Sequence, residues 1–430
     1  MNDIFQLNAD VLGIRWPNVL ARLLDESHEA LPVELVEGQE STLGIDGVQL
    51  TSRHDRMGEA RLQAASLPTS NAVIHVYGTG LGDLQQVLLL RSGLCQLHVH
   101  ILNGALFLLV LKLTDQTSWL SDPRVELTYA CDHRDIQLPF FALPAELELA
   151  DERNARVRDR LVSEVHLHFN NREFDPASPH ILERLQANLE LVGSDNDVAQ
   201  LFGTQPGRDI YVIGTGPTLE QHFDRLLGIR SRALRPLFIC VDTAYRPLLA
   251  KGILPDIVVT IDRNISALHL PPAGSADVIL VYKPLSDPAV ISAWEGERYV
   301  AYSTGPLHAP LRKQFARGEL SGGGSVIHPA VDLAVQMGAR EITLLGADFA
   351  YPMNRTHAGW DDGMLGAPAD QSRQWVLDGH GQRIKTQLNF RRYLGELERY
   401  IEAHPEVQFL NSSRSGAMIA GTVFNDEFVS

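Results

Sequence analysis

The chain has 430 residues, and its 37 Lys and Arg side chains against 53 Asp and Glu side chains give a formal net charge of −16. This acidity argues against nucleic acid as a partner, because phosphate neutralisation needs a basic face, and against electrostatic attachment to anionic lipid. Hydrophobic content of 44% and charged content of 21% are typical of a globular protein and exclude a disordered or fibrous chain.

Neither the N-terminus nor the most apolar stretch carries a targeting or spanning signal. The first residues lack the basic patch and the apolar run of a signal peptide. Residues 101–113 are interrupted by Asn103, Gly104 and Lys112, and they fall short of the roughly 20 residues that a spanning helix needs. The three widely spaced cysteines indicate a reducing compartment. We therefore expect a cytoplasmic protein with no membrane partner.

The first α/β pattern lies in the N-terminal part of the chain. AVIHVY (72–77) predicts a buried strand, glycines follow at 78, 80 and 82, and CQLHVHIL (95–102) predicts a second strand after an apolar helix. The glycine spacing differs from the dinucleotide-binding fingerprint, and no acidic residue ends the second strand to bind a ribose. Residues 1–143 therefore predict a smaller, degenerate Rossmann-like domain, in which a lost or unused pocket is favoured over a working nucleotide site.

Residues 144–203 predict a helical linker region. Charged residues alternate with Leu and Val at three- and four-residue spacing in ADERNARVRDRLVSEVHLHF (150–169) and in ILERLQANLELV (181–192). The charges indicate solvated helix faces. The segment GTQPGRD (203–209) then supplies turn residues and a domain boundary.

A second and better-defined α/β pattern occupies residues 204–430. Strands alternate with helices, which predicts a mainly parallel sheet with right-handed crossovers. Such sheets bind ligands at the carboxyl ends of their strands. The predicted strands include IYVIGTG (210–216), which runs into a glycine-rich turn, LFICVD (237–242), DIVVTID (256–262), DVILVY (277–282), RYVAYS (298–303) and EITLLGAD (341–348).

The turn GTGPTL (214–219) follows the first of these strands. Gly214 and Gly216 allow a sharp turn and a close approach of ligand to backbone, and Pro217 suits the first position of a helix. Unpaired N–H groups and the positive helix end predict a seat for a phosphate, with Thr215 and Thr218 in the same candidate site. No Gly-Lys-Ser/Thr follows, so this is not a Walker loop. A tight strand-to-helix turn without a ligand is the alternative.

Two aspartates and a run of glycines mark further strand ends. Asp242 and Asp262 each follow a predicted strand, where a carboxylate can bind a ribose, hold a metal ion or cap the next helix. Two aspartates alone do not define a metal site. In GGGSV (322–326), Ser325 could donate to a phosphate or a sugar, and capping of the next helix would by itself explain the serine. Three consecutive glycines exceed what capping needs and indicate a close backbone approach to a ligand.

The richest polar stretch is GADFAYPMNRTHAGWDDG (346–363), which follows the last of these strands. It holds Asp348, Tyr351, Thr356 and His357. A loop histidine is a candidate general base because its pKa lies near neutral pH, and His380 in DGHGQ is a rival. A surface histidine without a catalytic role is the alternative, and the spacing matches no known divalent-metal motif.

Taken in order, several blocks of the sequence resemble the motility accessory factor (Maf) family. They are GTGPTL, CVDTAYRPLLAKGILPDIVVTID, GGGSV, GADFAYPMNRTHAG and NSSRSGAMIAGT, and they extend over about 209–422. That family is implicated in glycosylating bacterial flagellin with nonulosonic acids such as pseudaminic or legionaminic acid. The Maf domain is similar in fold to bacterial sialyltransferases that use CMP-activated sugars. The resemblance therefore implies a Rossmann-like parallel-sheet glycosyltransferase domain at 204–430, with flagellin and a CMP-nonulosonic acid as partners and a role in flagellum assembly and motility.

The same resemblance implies roles for individual residues. Tyr351 lies near the position where sialyltransferases place tyrosine hydroxyls on the leaving phosphate. His357 fits the Thr-His-Ala block of Maf proteins, whereas His380 is closer in spacing to the sialyltransferase base. The implied nucleotide-sugar site comprises Gly214, Thr215, Gly216, Pro217, Thr218, Asp242, Asp262, Gly323, Gly324, Ser325, Asp348 and Thr356.

Two alternatives stay open. Archaeal 6-hydroxymethylpterin diphosphokinase-like proteins share the Gly-Pro turn and the strand-end aspartates, and that similarity implies ATP and a pterin, with Mg²⁺ on the aspartates. No cofactor is implied with certainty for the transferase. A non-catalytic flagellin-binding assembly factor with a vestigial nucleotide pocket is the third hypothesis.

Overall fold

A computed structural model describes residues 3–29, 31–172, 176–361, 363–372 and 374–428, without the side chains of 166–172. The chain divides into two compact units, Met1–His166 and Leu167–Ser430. Within the described part of the chain, no helix combines the length and the apolar character that crossing a membrane requires.

The first unit contains a four-stranded parallel sheet of order β6-β5-β4-β7 and a three-stranded antiparallel sheet of order β1-β2-β3. Its strands are β1 (Val33–Val36), β2 (Thr42–Ile45), β3 (Val48–Gln49), β4 (Val73–Tyr77), β5 (Gln96–Ile101), β6 (Val125–Tyr129) and β7 (Phe140–Ala142). Its helices are α1 (Asp3–Arg15), α2 (Pro17–Leu24), α3 (Arg56–Ala65), α4 (Asp83–Leu89), α5 (Gly104–Leu113), α6 (Thr117–Leu120), α7 (Pro144–Glu148) and α8 (Ala155–Arg172), which continues past the unit.

The second unit is built on a nine-stranded parallel sheet of order β20-β19-β16-β9-β10-β11-β12-β13-β8. Its strands are β8 (Asn196–Asp197), β9 (Asp209–Ile213), β10 (Leu237–Val241), β11 (Ile257–Thr260), β12 (Ile279–Tyr282), β13 (Arg298–Val300), β14 (Tyr302–Ser303), β15 (Glu319–Leu320), β16 (Glu341–Leu345), β17 (Gln374–Leu377), β18 (Arg383–Thr386), β19 (Gln408–Asn411) and β20 (Val423–Phe424). Strands β14 and β15 pair with each other, and β17 and β18 form a hairpin.

Helices cover this sheet and bury its central strands. They are α9 (Pro179–Ala187), α10 (Leu189–Ser194), α11 (Phe223–Arg230), α12 (Asp242–Ala250), α13 (Pro288–Ala293), α14 (Ala309–Arg312), α15 (Ile327–Gln336) and α16 (Leu388–Ala403). All five residues of β10 are buried. Continuous apolar runs are typical of parallel strands covered on both faces. The predicted α/β fold with parallel sheets is therefore confirmed for both units.

The strand order places a change of chain direction at the middle of the large sheet. From β9 the chain moves through β10, β11, β12 and β13 on one side, and β16 then pairs with β9 on its other side. The chain therefore leaves the carboxyl end of β9 toward β10 and that of β16 toward β19, in opposite directions across the sheet. Such a point is where open α/β sheets form a ligand crevice.

Candidate functional site

Two adjoining cavities lie at the carboxyl ends of the central strands in the second unit. The smaller, about 110 Å³, is bordered by the turn after β9, the end of β10 and the loop after β16. The larger, about 480 Å³, lies beyond β11 and β12. Both are lined by Ser325, Val326 and Tyr393. We call the two together the cleft.

The turn after β9 is packed tightly against the segment that follows β16. Gly214 N–H donates to the Leu345 carbonyl and Gly216 N–H to the Gly346 carbonyl, each at 2.7 Å. A Cβ on Gly216 would lie 2.5 Å from a carboxylate oxygen of Asp348, so only glycine fits there. Backbone N–H groups that were expected to meet a phosphate are thus partly used by the protein itself.

Asp348 accepts hydrogen bonds from the helix start that follows this turn. Its Oδ2 accepts from the Thr218 N–H at 2.8 Å, and its Oδ1 accepts from the Thr218 hydroxyl. Burial raises the pKa of Asp348 to about 6, against the opposing effect of the Thr218 hydrogen bonds. Pro217 begins a 3₁₀ helix, Pro217–His222, rather than the α-helix expected from the sequence, and α11 continues from it.

Asp242 is buried and does not line the smaller cavity, although Val241 and Thr243 on either side of it do. Its Oδ1 accepts from the Thr243 N–H at 2.7 Å and its Oδ2 from the Thr260 hydroxyl at 2.8 Å. Burial raises the pKa of Asp242 to about 7. Thr243 lines the smaller cavity, where its hydroxyl lies 2.5 Å from that of Thr215.

The glycine run before α15 brings the backbone close to two aromatic rings. Gly324 has a φ of +89°, and a Cβ there would lie 2.7 Å from the Tyr393 ring. A Cβ on Gly323 would lie 2.4 Å from the His328 ring, and His328 Nε2 in turn lies 2.9 Å from the Tyr393 carbonyl. Ser325, which follows, lines both cavities.

The loop after β16 closes one side of the smaller cavity and is anchored by Glu220. The Glu220 carboxylate accepts from Arg355 at 2.6 Å and from the Gly359 N–H at 2.8 Å. Burial acts to raise the pKa of Glu220, but these hydrogen bonds outweigh it and the pKa lies below its usual value. The Ala358 N–H also donates to the Thr215 carbonyl at 2.8 Å, which joins the loop to the glycine turn.

This loop presents Thr356 and His357 to the smaller cavity. Thr356 is 3% exposed, and its hydroxyl has no hydrogen-bond partner among the described residues. A buried hydroxyl without a partner is destabilising, so a ligand that bonds to it would be favoured.

The other two candidate catalytic residues lie elsewhere. Tyr351 is buried, with its ring centroid 5.6 Å from that of Phe390, and lines neither cavity. His380 is exposed in the turn of the β17–β18 hairpin, where its N–H donates to Asp378, and it lines neither cavity. Of the three, the structure brings only His357 to the cleft.

The larger cavity contains two buried basic side chains that the sequence reasoning missed. Lys283, directly after β12, is 5% exposed, and His308 is fully buried. Burial lowers the pKa of Lys283 to about 8 and that of His308 to about 3. A lysine immediately after the apolar run DVILVY was the available signal, since the end of a parallel strand is where a ligand would meet it.

Charged side chains at the larger cavity are mostly cationic. Arg263 and Arg392 line it together with Lys283, and Asp262 contributes a carboxylate. Asp262 is exposed, and its Oδ1 accepts from the Asn264 N–H at 2.8 Å. The larger cavity is therefore suited to an anionic ligand.

The aspartates do not fit a Mg²⁺ site. Both carboxylate oxygens of Asp242 and both of Asp348 already accept hydrogen bonds from protein donors. Over the described residues, no three His, Cys, Asp or Glu side chains are grouped so as to hold a metal ion.

The glycine turn of the first unit is filled by a side chain of the protein. Glu146, 1% exposed, accepts from the Thr79 N–H at 2.6 Å and from the Gly80 N–H. The space that remains beside the turn is only about 10 Å³. A carboxylate thus occupies the position where a phosphate would bind, and burial raises its pKa.

Comparisons with known proteins give three similarities. Residues 180–354 match the family model described as 6-hydroxymethylpterin diphosphokinase MptE-like. A 6-hydroxymethyl-7,8-dihydropterin pyrophosphokinase of Methanocaldococcus jannaschii is 27% identical over 99 residues, which is 23% of this chain and 39% of that enzyme. Among solved structures, the MAf glycosyltransferase from Magnetospirillum magneticum AMB-1 aligns with 99% of this chain and 75% of its own, at 16% identity and a TM-score of 0.43.

Proposed function

We propose that this protein is a glycosyltransferase that transfers a nonulosonic acid of the pseudaminic or legionaminic type from a CMP-activated donor to Ser or Thr hydroxyls of flagellin. The observation that carries the proposal is the cleft, which is lined by residues of four of the five Maf-like sequence blocks at the carboxyl ends of the central strands. Its larger cavity is lined by three cations against one carboxylate, which suits a doubly anionic sugar nucleotide.

In the proposed reaction, the bond between the anomeric carbon and the phosphate oxygen breaks, and CMP leaves with the electron pair. The acceptor hydroxyl oxygen forms the new bond to the anomeric carbon and gives up its proton. Cations fixed beside the departing phosphate stabilise the negative charge that develops on it. Arg263 and Arg392 line the larger cavity, and the proposal gives this role to them.

We assign the general base to His357 rather than His380. His357 and Ser325 both line the smaller cavity, whereas His380 lies in an exposed hairpin turn. A base must lie within hydrogen-bond reach of the proton it takes, directly or through one water. The loop that carries His357 is held on both sides of that residue by the Glu220 anchor.

The assay incubates the purified protein with flagellin and a CMP-nonulosonic acid and measures the mass of flagellin. We expect added mass in units of one sugar residue. His357→Ala should lower turnover by about 10²–10⁴-fold, which is typical of losing a general base, and His380→Ala should leave it within about twofold. Full turnover by His357→Ala together with loss in His380→Ala would reverse the assignment, and absence of transfer by the unsubstituted protein would contradict the function.

A pterin diphosphokinase is the second candidate, because the family model and the archaeal relative both point to that activity. It is tested with ATP, Mg²⁺ and 6-hydroxymethyl-7,8-dihydropterin, with release of AMP as the readout. The engaged carboxylates of Asp242 and Asp348 weigh against it, because they leave no carboxylate pair for the metal. AMP release that needs both ATP and the pterin, without sugar transfer, would favour the kinase.

A further inference from the structure

Lys283 is a buried ammonium with few partners. Its Nζ donates to the Leu320 carbonyl at 3.2 Å, and no carboxylate among the described residues lies within ion-pair distance of it. A Cβ on Gly322 would lie 3.9 Å from Nζ, which places the ammonium beside the glycine run. An ammonium has three N–H donors, and burying it without an ion pair is unfavourable.

The two acidic side chains that influence Lys283 electrostatically are committed to other groups. Asp332 accepts from the Ser321 N–H, from Gln336 at 3.1 Å and from the Tyr400 hydroxyl at 2.6 Å. Glu319 pairs with Arg312 at 2.7 Å. The charge of Lys283 is therefore left for a group that enters the larger cavity.

His308 supplies a second unsatisfied donor in the same cavity. Its Nδ1 lies 2.9 Å from the Ser303 N–H and must accept from it, so the proton of the neutral ring is on Nε2. Nε2 is buried and has no hydrogen-bond partner among the described residues. A buried N–H without an acceptor is rare in a folded protein and indicates a missing partner.

We propose that Lys283 and His308 form an oxyanion subsite, in which the Lys283 ammonium and the His308 Nε2–H both donate to one anionic group of the substrate. The identity of that group rests on the proposed function, which makes it either the carboxylate of the acidic sugar or the phosphate of the nucleotide. The two share the chemistry of a monoanionic group with two or more acceptor oxygens. Binding by this subsite does not itself require that the protein catalyse transfer.

Calorimetric titration of the full chain with three probes tests the subsite and separates the two sources. The probes are CMP, which carries a phosphate; N-acetylneuraminic acid, which carries a carboxylate; and cytidine, which is uncharged. The variants are Lys283→Met, with Lys313→Met at an exposed position as the matched control. His308→Asn keeps an acceptor for the Ser303 N–H and loses the Nε2–H, whereas His308→Gln retains an N–H near that position.

We expect CMP or the sugar acid to bind and to lose about 10- to 100-fold in affinity in Lys283→Met, with a smaller loss in His308→Asn and recovery in His308→Gln. Lys313→Met should bind as the unsubstituted chain does. Loss for CMP alone assigns the phosphate, and loss for the sugar acid alone assigns the carboxylate.

Equal binding of both anionic probes by Lys283→Met and the unsubstituted chain would overturn the subsite, as would the absence of anion binding by the unsubstituted chain. Sugar transfer that is normal in Lys283→Met would overturn the subsite and leave the proposed function intact. Anion binding that needs Lys283, without any sugar transfer, would contradict only the function. Melting temperature and circular dichroism of each variant establish that it is folded.

Discussion

At the scale of single residues, Lys283 illustrates the conflict between binding and stability. The ammonium is 5% exposed, and burial lowers its pKa to about 8. The charges of Asp332 and Glu319 oppose this lowering of the pKa without cancelling it. A buried ammonium without an ion pair is unfavourable for folding and is useful only when an anion binds to it. Sites of this kind commonly reduce stability in favour of function.

Replacing Lys283 with Met should therefore stabilise the ligand-free protein. The change removes a desolvated charge and keeps a side chain of similar length, so we expect a gain of about 1–3 kcal/mol in the free energy of unfolding at pH 7. Urea denaturation measures it, and Lys313→Met should change the value by less than about 0.5 kcal/mol. A loss of stability in Lys283→Met would mean that the Leu320 hydrogen bond matters more than the charge.

The lowered pKa of Lys283 also determines how this residue makes the free energy of unfolding depend on pH. The folded protein holds the Lys283 proton less tightly than the unfolded chain, because the pKa falls from 10.5 to about 8. Between these values the unfolded chain binds more protons, so this group makes the protein more stable as pH rises. The advantage of Lys283→Met should accordingly be full below pH 8 and shrink above it. Urea denaturation of both proteins at pH 7 and pH 9.5 shows whether the stability difference between Lys283→Met and the unsubstituted protein shrinks with pH or stays constant.

At the scale of elements, the packing of the β9 turn against the segment after β16 determines the shape of the smaller cavity. Gly216 is at the tightest point, where an added Cβ would lie 2.5 Å from Asp348 and 2.7 Å from the Gly346 carbonyl. Asp348 cannot move aside without losing its hydrogen bonds to Thr218. The glycine is needed for this close approach and not for an unusual φ, since its φ is −61°.

Gly216→Ala should destabilise the protein by about 1–3 kcal/mol, which is the usual range for overpacking at a well-packed site. Gly228→Ala is the matched control, because Gly228 lies inside α11 and an added Cβ meets nothing within 4 Å. Alanine in a helix interior is favoured over glycine, so that variant should gain about 0.5–1 kcal/mol. Thermal or urea unfolding compares the two. Opposite signs are expected, and equal effects would mean that the turn relaxes freely.

The local pattern of apolar residues and glycines in the sequence predicted most of the strands and helices but few of the contacts between them. The apolar runs before Gly78, Gly214 and Asp242 correspond to β4, β9 and β10, because a covered parallel strand reads as a continuous apolar run. RYVAYS was expected as one strand, but β13 and β14 are separate and belong to different sheets. The two-residue strands β8 and β20 at the sheet edges carry too little pattern to be predicted.

The candidate site was predicted less completely for a physical reason. The turn residues and the loop histidine could be recognised because glycine, proline and histidine carry local meaning in the sequence. The acceptors that fill the turns could not, since Glu146 reaches Thr79 across 67 positions and Asp348 reaches Thr218 across 130. Lys283 and His308 likewise became a pair only through the fold.

At the scale of the whole molecule, both units use a parallel strand followed by a glycine turn and a helix, with different outcomes. In the first unit, Glu146 takes the turn donors and about 10 Å³ remains, which is no more than one water requires. In the second, Asp348 takes the Thr218 donor, but it lines a cavity of about 110 Å³ that adjoins one of about 480 Å³. Despite a net charge of −16, the larger cavity is locally cationic.

Binding of a nucleotide should therefore be confined to the second unit. We expect saturating CMP to slow amide hydrogen exchange in segments 322–326 and 354–359, which border the cleft, and to leave segment 78–83 of the first unit unchanged. Exchange measured by mass spectrometry with and without CMP gives the comparison, with cytidine as the uncharged control. Because Glu146 already satisfies the Thr79 and Gly80 N–H groups, a ligand would have to displace a buried carboxylate to reach them. Protection of segment 78–83 by CMP would show that this displacement occurs and that the first unit holds a working nucleotide site.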